Sequence, residues 1–375
     1  MTLDLRHWKR DVSKRTVPLK ATVASSHRVD RLRVFVNGKL GAETLVCAPH
    51  ADVELSVPLQ RGRNRLTVIA YDAQGYASNP QVLDVSTTAA EADQPDLWIV
   101  SVGVSRYPKM GAEHQLDFAD DDARSVATAF SKQAGPSRSF NKLHQTTLVD
   151  DKVTVKSLSK ALGTLAKMGA DDLAVVFLAG HGVRLADGKM VLLTSRAALN
   201  RTSAQAEGMG WDRIEAALQK APGRVLMLLD ACHSGHVSTE IVAPNEALAQ
   251  QLAAQNRTGV LVLAASRGSQ LSYEVPPKRG GAQTVGSRGF DVVWDGTPPA
   301  RITGSLPPGH GLFTSAVLEA LDGRAIDRDR SGAVEVAELI DYVTERVSAA
   351  SKGKQTPWVA RRELFGDFVI APAGP

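Results

Sequence analysis

Leu173-Ala174-Val175-Val176-Phe177-Leu178-Ala179-Gly180-His181-Gly182 and Val225-Leu226-Met227-Leu228-Leu229-Asp230-Ala231-Cys232-His233-Ser234-Gly235 decide the fold. Each is a short, continuous apolar run that ends in a reactive side chain. Such runs read as strands buried on both faces of a parallel sheet. In open α/β sheets the working site lies outside the carboxyl ends of the strands, and that is where His181 and Cys232 fall. A thiol and an imidazole at neighbouring strand ends imply nucleophilic catalysis. Cys232 would form an acyl-enzyme, and His181 would act first as base and then as acid.

The residues around this pair fit the same chemistry. The N–H groups of Gly182 and Cys232 are candidates for an oxyanion hole. Gly182, lacking a Cβ, also lets a substrate backbone approach closely. His233 is adjacent to the nucleophile, so in an extended chain its side chain points elsewhere. Asp230 ends a buried strand, where an unpaired charge is costly. It lies two residues before Cys232, so the two can share one side of the strand. A carboxylate there suits a substrate Arg or Lys side chain, bidentate for Arg.

Cys232 follows His181 by 51 residues, close to the spacing of about 50 that marks caspases. With Gly180-His181-Gly182 and Asp230-Ala231-Cys232-His233-Ser234-Gly235 at successive strand ends, the chain resembles the caspase, metacaspase and bacterial orthocaspase cysteine peptidases. Further resemblance lies in Trp98-Ile99-Val100-Ser101-Val102-Gly103-Val104, Gly309-His310-Gly311-Leu312-Phe313-Thr314 and Gly366-Asp367-Phe368. It spans roughly residues 95–372, and the cysteine motif is similar to the metacaspase form rather than the animal one. The resemblance implies a caspase-like α/β fold, a mostly parallel sheet flanked by helices. It implies protein substrates cut after Arg or Lys, with Asp230 in the specificity pocket. A second pocket acid maps to the Asp120-Asp121-Asp122 run, at Asp122. That run also reads as a helix N-cap with charges favourable to the macrodipole. The resemblance further implies a bacterial stress, defence or regulated-death setting, with control by an upstream activating protease or a regulatory protein.

Residues 1–85 differ in character. Arg33-Val34-Phe35-Val36-Asn37-Gly38-Lys39 alternates and closes on Asn-Gly, a hairpin signal; Val53–Val57 and Arg65–Tyr71 follow as further strands. Short strands at this spacing predict a small β-sandwich, similar to the immunoglobulin-like modules that precede bacterial caspase domains. Residues 86–95 are polar, end in Pro, and read as a linker. Residues 96–375 then alternate strand and helix signals. Strands are expected at 97–104, 143–149, 173–179, 224–230 and 258–265, and helices at 120–133, 153–168, 210–220, 313–321 and 335–349. Two long stretches, 236–256 and 272–310, show little periodicity and read as functional loops.

The chain has 375 residues with a net charge of +4, and no stretch is long and apolar enough for a membrane span. The first residues lack an apolar signal core. There are two cysteines, Cys47 and Cys232. A disulfide between them would block the nucleophile, so free thiols, a reducing compartment and a cytoplasmic location are expected, with Cys47 a buried small hydrophobe. The first 85 residues carry 13 Lys and Arg against 8 Asp and Glu. Such a basic module could meet an acidic partner, but it has no interleaved aromatics of the kind that bind nucleic acid, so no nucleic-acid partner is expected.

No cofactor is required by the proposed chemistry. Calcium is the one candidate, because Asp327-Arg328-Asp329-Arg330-Ser331-Gly332-Ala333-Val334-Glu335-Val336-Ala337-Glu338 has EF-hand spacing. Asp327, Asp329, Ser331, the Ala333 carbonyl and Glu338 would be the ligands. Two arginines interleave them, no paired second loop is visible, and the calcium sites of metacaspases are built from other acids. Arg257, Arg279, Arg288 and Arg301 lie in the long loops and are candidate processing sites for an enzyme that cuts after basic residues.

Overall fold

The computed structural model describes residues 1–6, 11–60, 62–88, 94–136, 138–185, 187–198, 200–232, 259–266, 270, 272–275, 286–287, 309–324, 327–328, 330–361 and 368–372. The chain divides into two compact units that part between Gln94 and Pro95.

The first unit is all β: β1 (Thr2–Arg6), β2 (Asp11–Val12), β3 (Thr16–Val36), β4 (Lys39–Pro58), β5 (Gly62–Asp72) and β6 (Gln81–Thr87). β3 and β4 form one long hairpin whose loop is Asn37 (φ 47°) and Gly38 (φ 83°). Positive φ at both loop residues is the type I′ geometry that Asn-Gly favours. A register break between Ala24 and Val29 creases β3. Before the crease β3 pairs with β1 and the far half of β4; after it, with β5 and the near half of β4. β6 joins β5, and β2 lies parallel to β6. Leu19, Ala21, Val23 and Val57 from one half and Leu32, Val34, Leu66 and Val68 from the other fill a single core. This is an immunoglobulin-like sandwich made by folding one creased sheet on itself. β6 runs to Thr87, two residues into the polar stretch.

One expectation for this unit changes. Cys47 is exposed rather than buried. Opposite Asp30 alone, β4 carries both Val46 and Cys47, and Cys47 has φ 54°. This is a bulge, and Cys47 lies on the same exposed face as Glu43 and Leu45.

The second unit contains β7 (Leu97–Gly103), α1 (Ala119–Ser131), β8 (Leu143–Val149), α2 (Val155–Gly163), β9 (Leu173–Arg184), β10 (Met190–Leu193), α3 (Arg201–Glu207), β11 (Gly208–Gly210), α4 (Trp211–Gln219), β12 (Arg224–Cys232) and β13 (Val260–Ala264). It continues with β14 (Tyr273–Val275), β15 (Gly286–Ser287), β16 (His310–Gly311), α5 (Leu312–Glu319), β17 (Ala333–Glu335), α6 (Val336–Ala350), β18 (Trp358–Arg361) and β19 (Val369–Pro372). The main sheet runs β8-β7-β9-β12-β13-β18; all neighbours are parallel except β18. The strand order reverses between β7 and β9, which makes a crevice at their carboxyl ends. All of β7 and residues 225–230 of β12 are buried, which explains why these strands read as unbroken apolar runs.

Local chemistry fixes the crevice walls. α1 buries Ala119, Ala123, Val126, Ala127 and Phe130, a helical stripe, with three acids in its first turn. A Cβ on Gly103 would lie 1.9 Å from the Ala119 carbonyl oxygen. Only glycine therefore lets the end of β7 meet the start of α1. Past Ala179, β9 leaves its neighbour β7 and takes up β10, with Gly182 opposite Leu192. Part of the stretch expected as an aperiodic loop at 272–310 is ordered into a small sheet, β15-β14-β16.

Candidate active site

His181 is buried at the end of β9. Gly180 before it has φ 151°, a conformation L side chains rarely adopt. A Cβ there would also come within 2.9 Å of the Tyr107 hydroxyl. That hydroxyl accepts the His181 backbone N–H at 2.9 Å, and the two rings lie 4.7 Å apart. The imidazole Nε2 is 2.8 Å from the His114 carbonyl oxygen. A carbonyl only accepts, so Nε2 carries the proton and Nδ1 holds the lone pair. Nδ1 is buried and has no hydrogen-bond partner among the described residues. Burial pushes the imidazole down to about 4, with the His114 carbonyl pulling it back up. It is therefore neutral, and basic at Nδ1, at physiological pH.

Cys232 is described by its backbone, which closes β12 directly alongside His181: the two are register partners across the parallel pair. Adjacent strands run about 4.8 Å apart, so the two residues are anchored at neighbouring backbone positions at the carboxyl end of the parallel strands. His233 lies outside the described residues.

Asp230, paired in register with Ala179, is fully buried. Burial pushes its carboxyl up to about 7, and the hydroxyls of Ser272 and Thr314 pull it down. Asp122, also fully buried, accepts from His310 Nδ1 at 2.9 Å and from the Gly311 N–H at 3.2 Å. It is not a helix cap: the N-cap of α1 is Phe118, and no side chain caps it. Both carboxylates thus meet one segment, Asp122 at His310–Gly311 and Asp230 at Thr314.

The acidic loop closes differently from its sequence pattern. Asp327, Glu335 and Glu338 bring carboxylate oxygens within 4.8 Å of one another. Asp327 accepts from the N–H groups of Ser331 and Gly332, and Glu338 from those of Arg328 and Glu335. The Ser331 hydroxyl bonds Glu335. β17, in the middle of the loop, pairs with β19 rather than with a second loop. Arg328 turns outward to Asp341 and Glu345, away from the acids. Asp329 and the four candidate processing arginines, Arg257, Arg279, Arg288 and Arg301, lie outside the described residues.

Sequence reading missed Tyr107, the His114 carbonyl and Glu335, and gave no role to His310 although it quoted the stretch Gly309–Thr314 that holds it. Glu335 carried a signal too: it occupies the ninth position of the EF-hand pattern, which often ligates through water. The others reach the site from far along the chain.

Among solved structures, the chain is similar to fibronectin(III)-like modules of Clostridium thermocellum CbhA (23% identity, 24% of this chain and 100% of that one, TM-score 0.21). It is also similar to a lytic polysaccharide monooxygenase from Kitasatospora papulosa (22% identity, 22% of this chain and 53% of that one, TM-score 0.19). A third is the CARDB domain of the Pyrococcus furiosus PF1109 protein (16% identity, 24% of this chain and 90% of that one, TM-score 0.18). These likenesses are too slight to bear on the site, and no curated protein matches. Residues 98–369, by contrast, match the caspase domain of the C14 peptidases, and the chain belongs to that caspase-domain family.

Proposed function

We propose that this caspase-domain protein is a cysteine endopeptidase that cleaves proteins after Arg or Lys. The observation that carries this reading is the buried His181, held through Nε2 so that its basic Nδ1 is left for a neighbour, with Cys232 its register partner. His181 takes the thiol proton and the thiolate attacks the scissile carbonyl. The Gly182 and Cys232 N–H groups receive the oxyanion. His181 returns the proton to the leaving amine, and water releases the acyl-enzyme. Asp230, with Asp122, supplies the negative charge for the basic side chain. Processing at the loop arginines by an upstream protease, action in the cytoplasm, and a bacterial stress or defence setting complete the reading. Among the described residues no helix is long and apolar enough to cross a membrane.

Calcium is proposed as a ligand of the Asp327–Glu338 loop. Three carboxylates in contact repel one another, and a hard divalent cation suits oxygen ligands. The chemistry at Cys232 does not pass through it.

Fluorogenic peptides ending in Arg, Lys or Asp, assayed beside Cys232→Ala, test the function. Cleavage after Arg or Lys that is lost in the variant is the expected result. Cleavage only after Asp removes the pocket assignment, and equal activity in Cys232→Ala removes the nucleophile.

A further inference from the structure

His181 is gripped twice by one loop. Between β7 and α1, residues 104–116 present the Tyr107 hydroxyl to the His181 backbone and the His114 carbonyl to its ring. The inside of this loop is a single side chain. Gln115 Oε1 accepts the Tyr107 N–H at 2.7 Å. Its Nε2 donates to the carbonyls of Tyr107, Met110 and Gly111 at 3.1, 3.3 and 3.0 Å. The loop base is tied down as well: Asp150 accepts the N–H groups of Ser105 and Arg106, and the Leu116 N–H reaches the Ser105 carbonyl.

We propose that Tyr107 and Gln115 are positioning residues of this site, Tyr107 by fixing the place and tilt of His181 and Gln115 by holding Tyr107 and the His114 carbonyl at a set spacing. The reasoning is geometric. An imidazole bonded through one nitrogen can still swing about that bond. A second hold on its own backbone N–H, with a ring against its face, removes that freedom. Gly180 completes the fit, since any Cβ would displace the Tyr107 hydroxyl. The inference rests on His181 being the base of the proposed peptidase, but the geometry it claims is measurable without turnover.

Two near-isosteric variants test it. Tyr107→Phe keeps the ring and deletes the acceptor. Gln115→Glu keeps the shape and turns the three-carbonyl donor into a repelling oxygen. The first readout is the pair of His181 ring 15N shifts, which report the tautomer, followed across pH in Cys232→Ala. Wild-type geometry gives one tautomer, protonated at Nε2. Both variants are expected to give mixed shifts and an altered His181 titration, with unchanged far-UV circular dichroism. The second readout is kcat/KM on an arginyl peptide, expected about tenfold lower in Tyr107→Phe, the equivalent of one neutral hydrogen bond, with kcat carrying the loss. Unchanged 15N shifts in both variants would overturn the proposal. Altered shifts with no peptidase activity in any form, wild type included, would uphold the positioning and remove the peptidase reading. A general loss of folding in Tyr107→Phe is separated by Gln115→Glu, which leaves the buried Tyr107 ring and His181 chemically unchanged.

Discussion

Asp122 and His310, 188 residues apart, are joined by a 2.9 Å hydrogen bond from the imidazole Nδ1 to a fully buried carboxylate. The same carboxylate takes the Gly311 N–H. Asp122 therefore pins β16 and the start of α5, the helix whose Thr314 hydroxyl acts on Asp230. In the proposed peptidase Asp122 is a pocket acid as well as a clamp, which would couple specificity to folding.

Asp122→Ala removes these bonds and takes the acceptor from the buried Gly311 N–H and the half-buried His310 imidazole. Urea denaturation should show a loss of about 3 kcal/mol, the scale for breaking a buried hydrogen-bonded charge. Asp122→Asn, which keeps an acceptor, should cost less. A loss under about 1 kcal/mol in Asp122→Ala, together with abolished cleavage after arginine, would assign the carboxylate to the substrate alone.

Much of this arrangement is legible in the sequence, for a physical reason. Strands buried on both faces are apolar throughout their middles, so 173–179 and 225–229 stand out, and the carboxyl ends of such strands locate His181 and Cys232 before any coordinates. Asn37-Gly38 fixes its hairpin because few other pairs tolerate two positive φ values. The contacts that orient His181 carry no such mark. They join residues 74 and 67 positions apart, and one of the groups is a main-chain carbonyl that any residue would offer. Cys47 is expected inside on residue type alone, but it falls on the exposed face of β4, in step with Glu43 and Leu45. The four residues of β18 are too few to show a period.

The low titration of His181 has a direct signature in Cys232→Ala, where no thiolate is present to couple with it. By NMR, the imidazole should titrate near 4 rather than near 6.5. The unfolded chain binds the proton near 6.5 and the folded chain only near 4. The neutral imidazole's stabilising contribution is therefore full above about 6.5 and is lost as pH falls towards 4. The loss from this group is about 3 kcal/mol. A midpoint above 6 would mean that the site is wet.

Asp230 shifts in the opposite sense. Its carboxyl is raised to about 7 by burial, so the folded chain holds the proton longer than the unfolded one. Its contribution is full below about 4 and is lost as pH rises through 7. Asp230→Asn should flatten that slope and make the protein relatively more stable at alkaline pH. It should also abolish cleavage after arginine. A cationic ligand favours the carboxylate, so benzamidine binding at pH 6 should release a proton in the wild type and none in Asp230→Asn. Calorimetry in buffers of different ionisation heat measures this, and equal proton release in both forms would place the charge elsewhere.

The acidic loop offers the last test. The carboxylates of Asp327, Glu335 and Glu338 are close enough to share one ion, yet the N–H groups of Arg328, Ser331, Gly332 and Glu335 already hold two of them. A cation would therefore join a preformed turn rather than build one, and it would bind only the folded chain. Millimolar calcium should raise Tm by a few degrees, following the mass-action stabilisation expected of any ligand of the folded state. Magnesium should do so less, because it demands tighter octahedral geometry. Glu338→Gln keeps the hydrogen-bond acceptor for Arg328 but removes the charge, and it should abolish the calcium shift. If the shift persists in Glu338→Gln, the ion binds elsewhere. If the wild type shows none, the loop is closed by its own backbone, and β17 pairing with β19 is the sole purpose of the turn.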